Sequence, residues 1–497
     1  MLEITVSDRS DNPAVVAIAV AADTGLPLPL AVELDAELSA QLTAFAEEAF
    51  AGGPVRAGSV HALPRPLATP RRVLLVGAGT TDEAGWRAAG AGLARAAARD
   101  GALTVLMPAG AGAEAVRGLA EGLWLASYTF RLKQQVDAAA EEKKLSHVTI
   151  VASRTDAVDD ALDDARATAV ATGFARDLTN MPSEQKTPEW FASEVTRVAA
   201  GNPALTVTVR GNDALAEDGF GGIVAVGSGS ARTPRLVELS WQPERAAAHV
   251  VLIGKGITFD TGGICIKPRD GMKLMRKDMG GAAAVIAATF AAAEMDLPVR
   301  ITTLAPLAEN MASGSAWRPG DVVTHYGGRT TEVLNTDAEG RVVLADALAY
   351  AVAELEPDYL IDLATLTGAN AVALGKRTGA LYSDNDDLAD ALADAAIAAG
   401  EKVWRMPLVD DYVRDISSEI ADVANSSDTG GGSITAALYL REFTGDRRDS
   451  WAHIDMSAPS WADGPDGELV KGATGWGVRT LVRWLATLEP APAAVDL

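Results

Sequence analysis

Short runs of β-branched and other apolar residues alternate with longer alanine-rich segments along most of this chain. Several of the apolar runs predict buried strands, at 73–76, 250–253, 301–304 and 359–361. Several of the longer segments have the length and composition of helices, at 86–99, 282–294 and 342–355. Alternation of this kind is typical of βαβ units, in which helices connect parallel strands. The sequence therefore predicts an α/β fold with a largely parallel sheet.

A charge-dense segment divides the chain. Residues 154–166 lack a strong apolar stripe and predict a helical connector, and the region before them has about the length of one domain. We therefore expect an N-terminal α/β domain over 1–160. A larger C-terminal domain with a mixed, mostly parallel sheet is expected over 161–497.

Composition excludes several classes of protein and of partner. A hydrophobic content of 48% and a charged content of 22% in 497 residues are typical of a globular protein. The net charge of -24 argues against a nucleic-acid or an anionic membrane partner, because binding phosphates requires clustered lysine and arginine. The start of the chain lacks the features of a signal peptide, and no apolar run approaches the ~20 residues of a spanning helix. A cytoplasmic location is expected.

Residues 335–341, with the sequence NTDAEGR, carry two carboxylates and a guanidinium within five positions. On a helix Asp337 and Glu339 would point away from each other, whereas in an irregular loop, relaxed by Gly340, they converge. Converging carboxylates repel unless a cation lies between them, and a divalent metal ion is the usual one. The alternative is that Asp337 or Glu339 caps a helix that starts near Arg341.

Residues 254–281 follow directly on the predicted strand 250–253. Their candidate functional residues are Lys255, Asp260, Lys267 and Asp278, and two glycine clusters let the chain turn sharply near a ligand. In the alternative reading, Asp278 caps the alanine-rich helix and the lysines are solvated at the surface. The single cysteine, Cys265, excludes a disulfide within the chain and is expected to be a small buried strand residue.

Polar segments follow several of the predicted strands. In an open α/β sheet, ligands bind beyond the carboxyl ends of the strands, so these segments are expected to meet at one edge. They are 254–256, 309–310, 363–368 and 455–457. Four carboxylates and three cationic groups gathered there suit two divalent ions ~3.5–4 Å apart. The five histidines show no HExxH spacing, which excludes a zincin-type site, and His453 is expected to be a packed residue.

Three of these motifs together resemble the leucyl aminopeptidase (M17) family: NTDAEGR, GKGITFDTGGICIK and DLATLTGA. The resemblance covers most of residues 165–485. It implies a dinuclear metallopeptidase domain, a macro-domain-like N-terminal domain and a homohexamer. It also implies release of N-terminal residues from peptides that have a free N-terminus, with leucine and methionine preferred.

The resemblance also implies residue roles. One metal ion falls on Lys255, Asp260, Asp278 and Glu339, and a second on Asp260, Asp337 and Glu339. The ions would be Mn²⁺ or Zn²⁺, with Mg²⁺ or Co²⁺ as alternatives. Lys267 and Arg341 match the catalytic residues that bind no metal, and Arg341 would hold a bicarbonate ion. The residues that match the substrate-binding positions are Met275, Thr365, Leu366, Gly368 and Ser457, with a further position near Ser460.

The chain departs from the family pattern after Asp455, where MSAPSW replaces a more apolar run. This departure affects the pocket for the side chain of the substrate's N-terminal residue. Substrates with an acidic residue there are expected to be cleaved least well, because an unpaired carboxylate would be desolvated. Two other functions remain open. A two-metal phosphatase or amidohydrolase would generally use histidine ligands, and a DNA-binding regulatory scaffold of the same family would need a basic groove.

Overall fold

The computed structural model describes residues 1–9, 13–132 and 144–488. The chain divides into two compact units, of which the first comprises Met1–Val170 and Asp463–Lys471. The second comprises Ala171–Ala462 together with the residues from Gly472 onward. Both units are α/β, as the alternation of apolar runs and alanine-rich segments predicts. The charge-dense segment 154–166 lies mostly within a helix of 25 residues, Asp156–Asn180.

The first unit contains a six-stranded sheet. Its strands are β1 (Glu3–Ser7), β2 (Val15–Val20), β3 (Val60–Pro64), β4 (Arg72–Gly77), β5 (Ala102–Leu106) and β6 (His147–Val151). Their order in the sheet is β1-β6-β5-β2-β4-β3, and every pair is parallel except β3 with β4. The helices are Ala36–Ala49, Glu83–Ala96 and Ala113–Ala126.

Two of these helices pack with their backbones close together. A Cβ atom on Gly90 would lie 2.2 Å from the carbonyl oxygen of Leu119, so only glycine fits there. Across the same contact the guanidinium of Arg87 donates to the Glu121 carboxylate at 2.8 Å, and both side chains are buried. This pairing satisfies two charges that would otherwise destabilise the helix contact.

The second unit is built on a nine-stranded sheet. Its strands, with those of two small sheets, are β7 (Leu205–Arg210), β8 (Arg235–Trp241), β9 (His249–Gly254), β10 (Gly256–Asp260), β11 (Arg300–Asn310), β12 (Val322–Thr324), β13 (Thr330–Glu332), β14 (Tyr359–Ala364), β15 (Thr378–Tyr382), β16 (Lys402–Arg405), β17 (Val423–Ala424), β18 (Trp451–Asp455), β19 (Trp461–Ala462) and β20 (Gly472–Ala473). The large sheet has the order β16-β15-β18-β14-β9-β11-β8-β7, with β10 paired to β11. Its central pairs are parallel, whereas the β7–β8, β8–β11 and β15–β18 pairs are antiparallel. The sheet is therefore mixed and mostly parallel, as predicted.

The helix Asp156–Asn180 begins in the first unit and ends in the second, which starts at Ala171. The other helices of the second unit are Pro188–Ala199, Asn212–Glu217, Gly221–Gly227, Arg269–Met272, Gly280–Glu294, Glu339–Tyr350, Gly368–Leu374, Asp386–Ala399, Gly432–Arg441 and Val478–Leu485. Side-chain caps define some of the starts: Thr187 accepts from the amide of Trp190, and Asn385 accepts from that of Leu388. The helix Glu339–Tyr350 continues as a π-helical segment, Ala351–Leu355.

The predicted elements are confirmed with small differences at their ends. The four predicted strands lie within β4, β9, β11 and β14, and the three predicted helices begin two or three residues earlier than the sequence pattern suggests. Cys265 is not in a strand. It lies in a turn after β10, partly buried, between Ile264 and Ile266, which are 46% and 64% exposed. The expectation of a small buried strand residue is therefore wrong.

Close backbone packing brings the helix Gly280–Glu294 against the ends of two central strands. A Cβ on Gly281 would lie 2.1 Å from the carbonyl oxygen of Leu363, at the end of β14. A Cβ on Gly254, at the end of β9, would lie 2.5 Å from the backbone of Ala282. The amide of Ala282 also donates to the carbonyl of Lys255 at 2.9 Å. The start of this helix, and with it Asp278, is thereby held at the carboxyl edge of the sheet.

Candidate active site

The carboxyl ends of β9, β10, β11 and β14 bring most of the predicted site residues together. Lys255 follows β9, and Asp260 ends β10 beside Asn310 at the end of β11. The start of the helix Glu339–Tyr350 places Asp337 and Glu339 at the same edge. One carboxylate oxygen from each of Asp260, Asp337 and Glu339 lies within 4.8 Å of the others.

Two lysines connect the carboxylates. The Nζ atom of Lys255 lies 2.9 Å from Asp278 and 2.8 Å from Glu339, and it donates to the carbonyl of Thr365 at 3.0 Å. The Nζ atom of Lys267 lies 2.7 Å from Asp260 and also contacts the Asp337 carboxylate. All seven residues predicted for the metal ions and the catalysis belong to the second unit. The carboxylates therefore converge in the structure, as the sequence predicts.

The capping alternatives are wrong. The helix Gly280–Glu294 is preceded by Met279 at its N-cap position, and Asp278 instead accepts a hydrogen bond from the Thr365 hydroxyl at 2.7 Å. The helix Glu339–Tyr350 has Ala338 at its N-cap position with no side-chain cap. The surface alternative for the lysines is also wrong, because the Lys255 side chain is 4% exposed and that of Lys267 is 15% exposed.

Asn310 fixes the loop that carries Asp260. Its Nδ2 atom donates to Asp260 at 2.8 Å and to the carbonyl of Thr336 at 2.9 Å. The Thr336 hydroxyl in turn donates to the carbonyl of Gly262 at 2.7 Å. Gly262 has a φ of +86°, and a Cβ there would lie 2.9 Å from Asp337, so the turn requires glycine. These bonds join the Asp260 loop to the loop that precedes Asp337.

Burial raises the pKa of three of the carboxyl groups. It raises the pKa of Asp260 to about 8 and that of Asp278 to about 6, and the neighbouring Glu339 carboxylate acts in the same direction on both. Burial and Glu339 also raise the pKa of Asp337. Negative charges are thus crowded beyond what the two lysines neutralise.

The remaining groups are held in their charged forms. Burial opposes the charge on Glu339, but Lys255 and Lys267 outweigh it and lower its pKa. Burial also opposes the charge on each lysine, but the surrounding carboxylates outweigh it and raise both pKa values above their ordinary range. A divalent cation would favour ionised carboxylates and a neutral Lys255 amine instead.

The donor set fits divalent metal ions. The Oε2 atom of Glu339 is buried and accepts no hydrogen bond from any described residue. A buried carboxylate oxygen without a donor is costly unless a cation satisfies it. Carboxylate oxygens with one amine suit Mn²⁺, Mg²⁺ or Zn²⁺ better than soft metals, which prefer thiolates.

Arg341 is buried beside this cluster. Its Nη1 atom donates to the carbonyl of Asn425 at 2.8 Å, and its buried Nε atom has no acceptor among the described residues. Burial lowers the pKa of this guanidinium. This N–H group is free to donate to a bound anion.

Asn425 supports the site and was not predicted. Asn425 accepts from the amides of Leu334 and Asn335, at 2.9 and 3.2 Å, and donates to the carbonyl of Asn335 at 2.7 Å. Asn425 therefore fixes the entry to residues 335–341 from a position far along the chain. No local sequence pattern distinguishes it from a loop asparagine.

Asp455 organises the residues predicted to bind substrate. Its carboxylate accepts from the amides of Leu366, Thr367 and Ser457 at 3.2, 3.0 and 3.0 Å. The Ser457 hydroxyl donates to the carbonyl of Thr367 at 2.6 Å. Residues 365–367 and Ser457 are thus held together, close to Asp278 through its bond with Thr365.

The other two predicted substrate-binding residues lie in segments next to Asp278 and Thr367 in the chain. Met275 begins a 3₁₀ turn, Met275–Lys277, directly before Asp278, and Gly368 begins the helix Gly368–Leu374. Lys277, at the end of that turn, contacts Ser457 and was not predicted as a site residue.

Comparison with known proteins shows the family of the chain. The catalytic domain of the cytosol aminopeptidase family matches residues 173–482, and the N-terminal domain of the same family matches residues 15–135. The chain belongs to the cytosol aminopeptidase family. Members of this family are peptidases, and the protein is an aminopeptidase enzyme.

Relatives match over most of their length. A probable cytosol aminopeptidase of Corynebacterium efficiens is 46% identical over 371 residues, which cover 73% of this chain and 72% of that protein. One from Streptomyces coelicolor is 41% identical over 496 residues and covers 94% of both. The solved structure of the bottromycin maturation enzyme BotP in complex with Mn has a TM-score of 0.83 and 38% identity, covering 96% of this chain and 99% of that one.

Among the described residues, no helix is both long enough and apolar enough to cross a bilayer.

Proposed function

We propose that the enzyme uses two divalent metal ions to release N-terminal residues from peptides. The observation that carries this proposal is the buried cluster of Asp260, Asp337 and Glu339, in which Glu339 retains an oxygen without a donor. Mn²⁺ or Zn²⁺ is proposed for both positions, with Mg²⁺ or Co²⁺ as alternatives. The manganese in the solved BotP structure supports this choice of metal.

The proposed ligands follow the two halves of the cluster. Lys255, Asp260, Asp278 and Glu339 would hold one ion, and Asp260, Asp337 and Glu339 would hold the other. Asp260 and Glu339 then belong to both sets. When bound, such ions acidify a water molecule and polarise the scissile carbonyl group.

Lys267 is proposed to act on the substrate. Its Nζ atom lies beside Asp260 and Asp337, on a side chain that is 15% exposed, and it would face the carbonyl of a peptide bound there. An ammonium in a partly buried site stabilises negative charge that develops on the carbonyl oxygen.

Arg341 is proposed to hold a bicarbonate ion. Its Nη1 atom is fixed by Asn425, whereas the buried Nε atom has no acceptor among the described residues. A bound bicarbonate would act as the general base, a role for which the site residues described above include no histidine. Proton transfer by a positioned base contributes about 10²–10⁴-fold to a rate.

The free N-terminus of the peptide explains why the enzyme would act only at chain ends. An acidic site attracts an amine, and an internal peptide bond offers none. Met275 supplies a flexible apolar surface for the first side chain, which supports a preference for leucine or methionine. We further propose that the enzyme is cytoplasmic, which the names of its relatives support. The resemblance to the family supports a homohexamer.

One assay tests this function. Aminoacyl-arylamides are offered to chelated protein and to protein reloaded with Mn²⁺ or Zn²⁺, beside the same substrates with an acetylated amine. Release of arylamine only from free-amine substrates, and only after reloading, is expected. Comparable cleavage of acetylated substrates would contradict an aminopeptidase and indicate an endopeptidase or an amidase.

A further inference from the structure

Lys277 lies at the end of the turn that carries Met275. Its Nζ atom donates to the backbone carbonyl of Ser457 at 2.6 Å and to the hydroxyl of Ser460 at 3.2 Å. Both acceptors are neutral. These contacts place an ammonium group among the residues proposed to surround the first side chain of the substrate.

Lys277 differs from the other two lysines of the site in its partners. Lys255 and Lys267 each contact two carboxylates, whereas no carboxylate oxygen lies within 4.0 Å of the Lys277 Nζ atom among the ion pairs of the described residues. An ammonium has three N–H donors, and two acceptors leave one donor for a further partner.

The nearby carboxylates are already engaged. Asp278 accepts from the Thr365 hydroxyl and contacts Lys255. Asp455 accepts four hydrogen bonds, from three backbone amides and the Thr367 hydroxyl. Neither forms an ion pair with Lys277 within 4.0 Å, although both carboxylates act on its charge from farther away. A partly buried cation without a paired anion favours a ligand that supplies one.

We propose that Lys277 determines specificity by pairing with an acidic first side chain, so that the enzyme accepts glutamate at the peptide N-terminus. This inference rests on the proposed aminopeptidase function and on Ser457 lining the side-chain pocket. It reverses the expectation from sequence, in which a carboxylate in this pocket would be desolvated without a partner. Met275 leaves apolar substrates acceptable, and Lys277 adds the acidic class.

Lys277 could instead only support the segment 457–460, in which case its loss would affect all substrates equally. Glutamyl and glutaminyl arylamides distinguish the two roles because their side chains have nearly the same shape and differ in charge. The ratio of their kcat/KM values therefore reports the charge pairing alone.

The experiment measures this ratio for metal-loaded wild type, Lys277→Met and Lys277→Arg, with leucyl arylamide as a third substrate. Lys273→Met is the matched control, since Lys273 lies one turn earlier with a side chain 64% exposed. Lys277→Met is expected to lower the Glu/Gln ratio by roughly 10- to 100-fold, as for loss of a hydrogen bond to a charged group. Lys277→Arg and Lys273→Met are expected to retain it.

Equal losses for all three substrates in Lys277→Met would overturn the inference and leave Lys277 as a support, while the proposed function stands on the leucyl substrate. Binding of free glutamate and free glutamine to the wild-type protein, measured by calorimetry, gives a second readout without any variant. Tighter binding of glutamate is expected, and equal binding would contradict the role of Lys277. Hydrolysis of no arylamide at all would contradict the proposed function, and the calorimetric comparison would then still show whether the protein binds an acidic side chain in preference to its amide.

Discussion

Gly340 lies directly against the side chain of Lys255. A Cβ atom on Gly340 would be 2.5 Å from the Cε atom of Lys255 and 2.7 Å from its Nζ atom. Gly340 stands in the first turn of the helix Glu339–Tyr350, one residue after the buried Glu339. The absence of a side chain at this position therefore lets the Lys255 amine reach Glu339.

Gly340→Ala should displace Lys255 and disrupt the metal site. A misplacement of about 1 Å at such a site lowers a rate by on the order of 100-fold, and metal content should fall as well. The matched control is Gly173→Ala, another helical glycine, where a Cβ would meet no atom within 4 Å. Elemental analysis and arylamide hydrolysis on both variants check this. Full metal content and activity in Gly340→Ala would show that the Lys255 amine is not needed where we place it.

Asn425→Ala should loosen the loop before Asp337. The substitution removes three hydrogen bonds to Leu334 and Asn335 and leaves partly buried backbone groups unpaired, which costs about 2 kcal/mol of the free energy of unfolding. Asn202→Ala, which removes one hydrogen bond in a surface turn, is the control. Denaturant unfolding followed with metal titration checks both effects. Unchanged metal affinity would mean that the loop holds its geometry without Asn425.

Lys267→Ala and Glu339→Ala should separate catalysis from metal binding. Glu339 is proposed to bind both ions, so its loss should lower the metal content together with turnover. Lys267 is proposed to bind none, so its loss should lower kcat while the metal content is retained. Metal analysis beside steady-state kinetics checks the difference. Equal metal loss in the two variants would place Lys267 among the ligands.

His249 should make stability depend on pH. Burial, assisted by the positive charge of Arg300, lowers the pKa of this ring to about 4, and its Nε2 atom shares a hydrogen bond with the Thr302 hydroxyl at 2.9 Å. In the unfolded chain the ring takes up a proton near pH ~6.5, so the unfolded state binds more protons between the two values. Stability is therefore expected to fall as the pH drops from about 6.5 toward 4.

His249→Gln keeps a hydrogen-bonding side chain but removes the titrating ring. Unfolding midpoints in denaturant, measured at about pH 7 and about pH 5, should fall less between these conditions in the variant than in the wild type. An identical pH dependence in both proteins would show that the His249 ring titrates alike in the folded and unfolded states.

The sequence predicts the scaffold and the charged residues of the site, because both depend on local patterns. The strand β9 and the helix Gly280–Glu294 follow from their apolar and alanine-rich runs, and residues 335–341 carry their carboxylates within a single motif. Cys265 shows the limit of this reasoning, since two flanking isoleucines indicate a strand whereas the glycines before them force a turn.

Contacts between distant segments could not be predicted. Asn310 and Asn425 each support a loop that lies far away in sequence, and each resembles any polar residue after a strand or in a loop. Lys277 likewise has no local signature, because its partners are 180 residues or more along the chain. Only the fold brings these residues to the site, so their roles appear once the strand order is known.

Metal content and activity measured on the same samples show whether two bound metal ions are required for activity. Purified enzyme is stripped with a strong chelator, analysed for residual metal, and titrated with Mn²⁺ or Zn²⁺ while leucyl arylamide hydrolysis is followed. We expect no activity in the stripped protein and full recovery as two ions per chain are bound. Full activity in protein shown to contain no metal would contradict it.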